Sequence, residues 1–334
     1  MNGAELDERL SRPTDGVLKV LRQLPGDLLV LGAGGKMGPT LAMMARRALD
    51  ERHRVVAVSR FREEGLRDRL EGAGITTIVA DLLDPTALAR LPDAPNLIFM
   101  AGQKFGTQSA PHTTWAMNAI VPARVAERYR GTRTVVFSTG NVYPLTPAGS
   151  GGPTEDHAVG PVGEYAMSCL ARERIFEHAA VAHGTPVAIM RLNYAIDLRY
   201  GVLVDIARRV RAGHPVPVAM GHVNVIWQGD ANARALQCLA LAASPAAVLN
   251  VTGLETISVR WLAERFGERF GRAPYFEGTE QADALLSNAS RSAARFGPPT
   301  VTLDTMLTWV ADWLEQGGPL LARPTHFEER SGRF

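Results

Sequence analysis

Two side chains of this sequence are placed to share one oxygen atom of a substrate. Thr139 lies in the run Phe137-Ser138-Thr139-Gly140-Asn141-Val142-Tyr143, at the end of an apolar segment, and Tyr165 opens the helical stretch GEYAMSCLARERIFEH. A hydroxyl at a strand end and a tyrosine on a neighbouring helix can hold a carbonyl or carbinol oxygen between them, one of the two giving or taking the proton. Such chemistry needs a hydride donor or acceptor. The stretch Asp27 to Ala42, DLLVLGAGGKMGPTLA, offers a seat for one. Leu28 to Leu31 form an apolar run too short for a helix and suited to a buried strand. Gly32, Gly34, Gly35 and Gly38 follow, with Lys36 and Met37 among them, and apolar residues then recur at helical spacing. A strand that turns through glycines into a helix leaves backbone N–H groups and the positive helix end facing outward. That is an anion site, and its usual guest is a dinucleotide pyrophosphate.

The other strand ends add to this picture. The second strand ends in Ser59-Arg60, where an acidic residue would bind both ribose hydroxyls and repel a 2′-phosphate. Arg60 can pair with that phosphate and Lys36 can assist, so NADP is expected in preference to NAD. Asp81, followed by Leu82, can accept from an adenine amino group or cap the next helix. Met100, Ala101 and Gly102 are small enough at the fourth strand end for a cofactor backbone to pass close.

These positions presuppose a particular scaffold. Apolar strands at Leu28–Leu31, Val55–Val58, Thr76–Val79, Leu97–Met100, Thr134–Ser138 and Val187–Leu192 alternate with helical stretches, among them Thr40–Leu49, Thr114–Tyr129 and Glu164–His183. This predicts an α/β fold, a doubly wound parallel sheet of Rossmann type covered on both faces. Residues 1–26 read as an extension, with an amphipathic piece at Val17–Leu24 packing on the sheet edge. Residues 27–192 form the dinucleotide domain. Residues 193–316 form mainly a smaller mixed lobe, some of whose strands and helices return to the sheet, and 317–334 are a polar tail. A net charge of +2 argues against nucleic acid as a partner. No apolar run has membrane length, no signal peptide opens the chain, and two cysteines suggest a reducing cytosol rather than a disulfide framework. No metal site is expected. Of 36 lysines and arginines only Lys19, Lys36 and Lys104 are lysine.

The pieces GAGGKMG, ADLLDP, Asn118 in WAMNA, FSTGNVY and YAMSC occur in the order and spacing of the extended short-chain dehydrogenase/reductases, and the chain resembles their NAD(P)-dependent epimerase/dehydratase family from Asp27 to about Glu315. The resemblance implies that Thr139 is the active-site hydroxyl and Tyr165 the acid/base, at the nicotinamide end. It implies that Asn118 supports the site from the helix after the fourth strand. It also implies a homodimer through Thr114–Tyr129 and Glu164–His183.

The sequence departs from that family at one decisive position. Four residues after the tyrosine the family has a lysine, which holds the nicotinamide ribose and lowers the tyrosine pKa; here it is Cys169. Moving a phenol from ~10 to about 7 takes roughly 4 kcal/mol of differential stabilisation, which a neutral thiol does not provide. Lys104, in AGQKFG beside the nicotinamide end, is the first stand-in, and Arg172, on the helix face of Tyr165, the second. Gly140-Asn141 replaces the Asp-Glu of the dehydratases. Val223 stands where nucleotide-sugar enzymes place a diphosphate-gripping arginine, so a substrate without a nucleotide handle is expected. Asn141, Asn193, Tyr194, Arg199, Tyr200, His222 and Asn224 are the substrate-side candidates. Two classes stay open: an oxidoreductase or epimerase acting by hydride transfer on a sugar- or sugar-acid-like carbinol or carbonyl, and a cofactor-binding sensor or scaffold with little turnover.

Overall fold

The computed structural model describes residues 1–321 and 325–333. Seven strands make one sheet: β1 Leu28–Leu31, β2 Val55–Ser59, β3 Thr76–Val79, β4 Asn96–Phe99, β5 Arg133–Thr139, β6 Val187–Leu192 and β7 Ala247–Val251; apolar runs bury the central strands on both faces, while β3 at the edge is exposed at both ends. In space they run β7-β6-β5-β4-β1-β2-β3, with every neighbouring pair parallel. The winding reverses between β1 and β4, which opens a crevice at their C-terminal ends. Six strands coincide with the expected ones to within a residue. The seventh, β7, comes from the Leu249-Asn250-Val251 stretch of the C-terminal half and completes the sheet edge beside β6.

The helices are α1 Gly3–Leu10, α2 Asp15–Gln23, α3 Gly38–Ala48, α4 Leu66–Gly72, α5 Pro85–Ala89, α6 Pro111–Trp115, α7 Val121–Arg128, α8 Gly163–His183, α9 Val202–Ala212, α10 Gln228–Gln237, α11 Val259–Phe270, α12 Ser290–Phe296 and α13 Leu303–Glu315. Leu28, Val30, Val55 and Met190 face a layer built from α2, α3, α4 and α10, whereas Leu29, Leu31, Val56 and Ile189 face α7 and α8. Val17 and Leu21 of α2 lie in the first of these cores with Met44 and Leu236. The amphipathic N-terminal piece therefore covers a sheet face between α3 and α10, not the sheet edge, because its apolar stripe fills the groove between those two helices. The chain leaves the sheet after β6 but returns with α10 and β7, so the second lobe is the remainder: α9, α11 and α13, sharing with α1 a core that includes Leu6, Leu10, Ile206, Leu262 and Trp313.

Two local features prepare the site. Between α6 and α7 the chain makes a π-helical turn, Ala116–Ile120, in which the Val121 N–H donates to the carbonyl of Ala116. Pro122 has no N–H for the carbonyl of Asn118, four residues earlier, so the α-helical ladder fails there and the turn widens. Asn118 is carried inward and fully buried. The tail, of which residues 322–324 and 334 lie outside the described residues, folds back on the lobe. Phe327 is buried in the lobe core, and the Thr325 N–H and hydroxyl donate to Asp205 Oδ2 at 2.8 and 2.6 Å.

Candidate active site

The C-terminal ends of β1, β4, β5 and β6 meet in a cleft of about 330 Å³. Its cofactor side is the glycine turn. Gly32 has φ +92°, and a Cβ there would lie 2.5 Å from the backbone nitrogen of Ala101. A Cβ on Gly34 would strike the Ser59 hydroxyl, and one on Gly38 the Ala33 backbone. These three glycines close the turn and seat α3. Gly35 differs: a Cβ would meet only Gly32 O, at 3.5 Å, and the residue lines the cleft. No side chain caps the first turn of α3. Open space against glycine backbone and an uncapped helix start fit a dinucleotide pyrophosphate. Gly38 thus acts through packing, while Gly35 leaves open space on the cleft.

At the β2 end, Arg60 Nη1 lies 3.7 Å from Asp81 Oδ2 on a half-exposed surface. Asp81 also accepts the Leu83 N–H at 2.9 Å, and the Leu82 side chain is buried under the sheet. Ser59 accepts the Phe61 N–H at 3.4 Å. Lys36 does not join this group. Its Nζ donates to the Ala195 carbonyl at 2.9 Å, beyond β6, and sits 4.4 Å over the Tyr200 ring. The lysine expected to assist a 2′-phosphate points across the cleft toward the stretch after β6, because β6 and its continuation lie on the side of β1 opposite to β2.

At the reacting end, Thr139 Oγ1 donates to Asn141 Oδ1 at 2.9 Å and accepts the Asn141 N–H at 3.2 Å. The Tyr165 phenol hydrogen-bonds the side chains of Thr139 and Cys169. Burial pushes this phenol well above the ordinary tyrosine range, Cys169 pushes it the same way, and the Arg172 guanidinium pulls it back. Burial likewise raises the Cys169 thiol, against Arg172. Lys104 Nζ lies 5.8 Å over the Tyr165 ring, and burial lowers this lysine to about 8. Two cations thus lie at the phenol: Arg172, seven residues along α8, and Lys104 over the ring. Arg172 is 5% exposed. Its Nη1 donates to the Phe137 carbonyl and its Nη2 to Asn118 Oδ1, both at 2.7 Å, and its Nε has no partner among the described residues. Asn118 is fully engaged: it also accepts from Gln103 N and donates to Gln103 O, both at 2.9 Å, and to Ser168 Oγ at 3.0 Å. The floor is completed by Met100 and by Gly102, where a Cβ would approach Arg172 Nη2 to 2.5 Å. Ser138 also lines the cleft, but its hydroxyl donates to Glu173, which is paired with Arg191 at 2.7 Å in the interior.

On the lobe side, Asn141, Asn193, Tyr194 and Tyr200 line the cleft. Three expected substrate residues do not. Arg199 is held by Asp197 at 2.8 Å and Asp7 at 2.9 Å, tying α1 to the lobe. Asn224 donates to the Glu255 carbonyl at 2.8 Å and accepts the Ser287 N–H at 2.9 Å. His222 pairs in a two-residue ladder with Ser258 away from the cleft. Sequence reasoning missed Gln103 and Thr325. Gln103 follows directly on the small-residue strand end and could have been included, whereas Thr325 reaches the cleft only through the folded-back tail. Among the described residues no group of three His, Cys, Asp or Glu could hold a metal ion, and no helix is long and apolar enough to cross a membrane.

A family model described as the NAD dependent epimerase/dehydratase family matches residues 28–222, more than half of the chain. The chain belongs to this family. Comparison with curated proteins returns no match. Among solved structures, the chain is similar to the Thermus thermophilus UDP-glucose 4-epimerase complex with NAD (20% identity, TM-score 0.72, covering 86% of this chain and 99% of that one). It is also similar to MoeE5 in complex with UDP-glucose and NAD (21% identity, TM-score 0.69, 87% and 99%). A third is a short-chain dehydrogenase/reductase superfamily protein from Agrobacterium tumefaciens with bound NAD (18% identity, TM-score 0.73, 87% and 98%). At these identities the likeness is one of fold. Within this NAD-dependent family, the cleft below the glycine turn is the candidate active site.

Gly35→Val is expected to abolish dinucleotide binding at near-unchanged thermal stability, because its side chain enters only the cleft. Gly38→Val is expected to lower the melting temperature instead. Calorimetric titration and thermal unfolding separate the two; a folded Gly35→Val protein with wild-type cofactor affinity would refute the placement.

Proposed function

We propose that the protein is an NAD(P)-dependent oxidoreductase or epimerase acting by hydride transfer at a carbinol or carbonyl carbon of a small sugar-like substrate. What carries the proposal is the Tyr165–Thr139 hydroxyl pair at the end of β5, opening into the cleft beside the glycine turn. The dinucleotide supplies the hydride acceptor or donor. Thr139 and Tyr165 hold the reacting oxygen, and Tyr165 exchanges its proton with that oxygen. Burial keeps the phenol protonated in the cofactor-free protein, the form that gives its proton to a carbonyl oxygen in a reduction. Arg172 and Asn118 position the loop Gly102–Lys104 beneath the reacting carbon.

Support for NADP over NAD is the absence of a carboxylate at Ser59 and the presence of Arg60; the Asp81 carboxylate beside Arg60 works against it. The UDP-sugars bound in solved relatives of this fold weigh against a substrate without a nucleotide handle. What supports such a substrate is Val223, fully buried in the lobe core at the position of a diphosphate-binding arginine. A homodimer through α7 and α8 is supported by exposed Ile120, Met167 and Val181 on or beside these helices. A second reading, a cofactor-binding sensor with little turnover, is favoured by Cys169, which is fully buried where the family has a lysine.

Turnover across a panel of sugars, alditols, sugar acids and UDP-sugars, with cofactor binding as the positive control, decides between these readings. Tyr165→Phe is expected to lower turnover by about a hundredfold or more, the scale of a lost general acid, at near-wild-type cofactor affinity. Cys169→Ala is expected to leave turnover near wild type. Wild-type turnover by Tyr165→Phe would remove the proposed chemistry. Arg60→Ala is expected to weaken NADP at least several-fold more than NAD, measured by titration of each; equal losses would show that Arg60 reads no 2′-phosphate.

A further inference from the structure

The cleft has an unusual charge for a chain of net +2. Lys36, Lys104 and Arg172 line it, and its lining residues include no aspartate or glutamate. Two of the three lysines in a chain that otherwise uses arginine are therefore spent on one cavity. Among the described residues neither Lys36 nor Arg172 forms an ion pair. Lys36 meets the Ala195 carbonyl and the face of Tyr200, and Arg172 meets a carbonyl and an amide oxygen. Arg172 also keeps a buried Nε with no partner. Asp197 and Asp205 act on Lys36 without forming an ion pair with it, so an anion that enters the cleft can still make a direct, charge-assisted contact with the ammonium.

The cofactor pyrophosphate is one such anion, but Lys36 Nζ is committed to the opposite wall. It spans from the glycine turn to Ala195 and Tyr200, beside Asn193 and Tyr194. Burial lowers Lys36 to about 8; Asp197 and Asp205 raise it while Arg199 and Lys104 lower it, so it is largely charged at neutral pH. An ammonium on a flexible stem recognises a point of negative charge rather than a planar fork.

Resting on the oxidoreductase reading above, we propose that the substrate is a polyhydroxylated carboxylic acid, a sugar acid or its keto form, whose carboxylate is held by Lys36 against Tyr200 while the reacting carbon lies by Tyr165. Asn193 and Tyr194 offer partners for its hydroxyls. The site selects acids over neutral sugars because a neutral ligand leaves the cationic wall uncompensated.

The test compares D-glucuronate, D-gluconate, D-glucose, D-glucose 6-phosphate and UDP-glucose, by calorimetric binding to wild-type protein saturated with reduced or oxidised cofactor and by turnover. Wild-type protein is expected to bind at least one of the two acids and to favour it over glucose. In Lys36→Met the acid-over-glucose preference should fall by roughly tenfold or more, with cofactor affinity within about twofold of wild type, and Lys36→Arg should restore part of it. A preference for glucose, the phosphate or UDP-glucose over both acids overturns the inference while leaving the oxidoreductase reading intact. An equal loss of cofactor and acid affinity in Lys36→Met also overturns it, because the lysine would then serve the pyrophosphate. Acid binding that depends on Lys36 but gives no hydride transfer supports the anion site and refutes the oxidoreductase reading. The wild-type comparison stands alone if a Lys36 variant fails to fold.

Discussion

A guanidinium buried without a carboxylate holds the reacting end of this molecule together. Arg172 reaches from α8 to the carbonyl of Phe137 on β5 and to Asn118 in the π turn, and lies 5.7 Å over the ring of Phe99 on β4. A charge in such a place is tolerable only where dipoles are fixed around it. Those dipoles are fixed because Pro122 widens the helix that carries Asn118, and because Gly102 has no Cβ to displace the guanidinium. The sheet ends, the floor of the cleft and the helix bearing Tyr165 are thereby locked to one another.

The same charge sets the chemistry of the phenol. Position 169 holds no lysine; Arg172 pulls the phenol down and burial outweighs it, with Lys104 lying over the ring. Cys169 packs fully buried beside Val142 and Tyr143 and offers the phenol a hydrogen bond but no positive charge. Tyr165 therefore rests as a proton donor. In the family pattern a lysine shifts that balance toward the phenolate; under the proposed chemistry, the protonated phenol here would serve as the acid toward a carbonyl oxygen.

Much of this was legible in the sequence because it rests on local pattern. Short apolar runs between glycine turns and amphipathic helices specified six of the seven strands of the sheet to within a residue, and the Thr139–Tyr165 pair follows from where β5 and α8 end and begin. What was not legible depends on the direction of long side chains. Nothing in GAGGKMG says that Lys36 turns toward Ala195 rather than toward Arg60, whereas Arg172 at the phenol was legible from its place on the helix face of Tyr165. Arg199 and Asn224 looked like ligands by type, yet each is consumed by partners far along the chain: Asp7, and Glu255 with Ser287. Thr325 enters the cleft only because Phe327 anchors the tail in the lobe core.

The proposed chemistry of the cleft turns on the protonation state of Tyr165. Ultraviolet difference titration of the cofactor-free protein, taking wild type minus Tyr165→Phe, isolates its phenol. A buried phenol whose pKa is raised keeps its proton until the pH exceeds that value, so no ionisation step belonging to Tyr165 is expected below about pH 10, the ordinary value for tyrosine. A step near neutrality would show that Arg172, or Lys104 beside the ring, overcomes burial, and would contradict a site that rests as a proton donor.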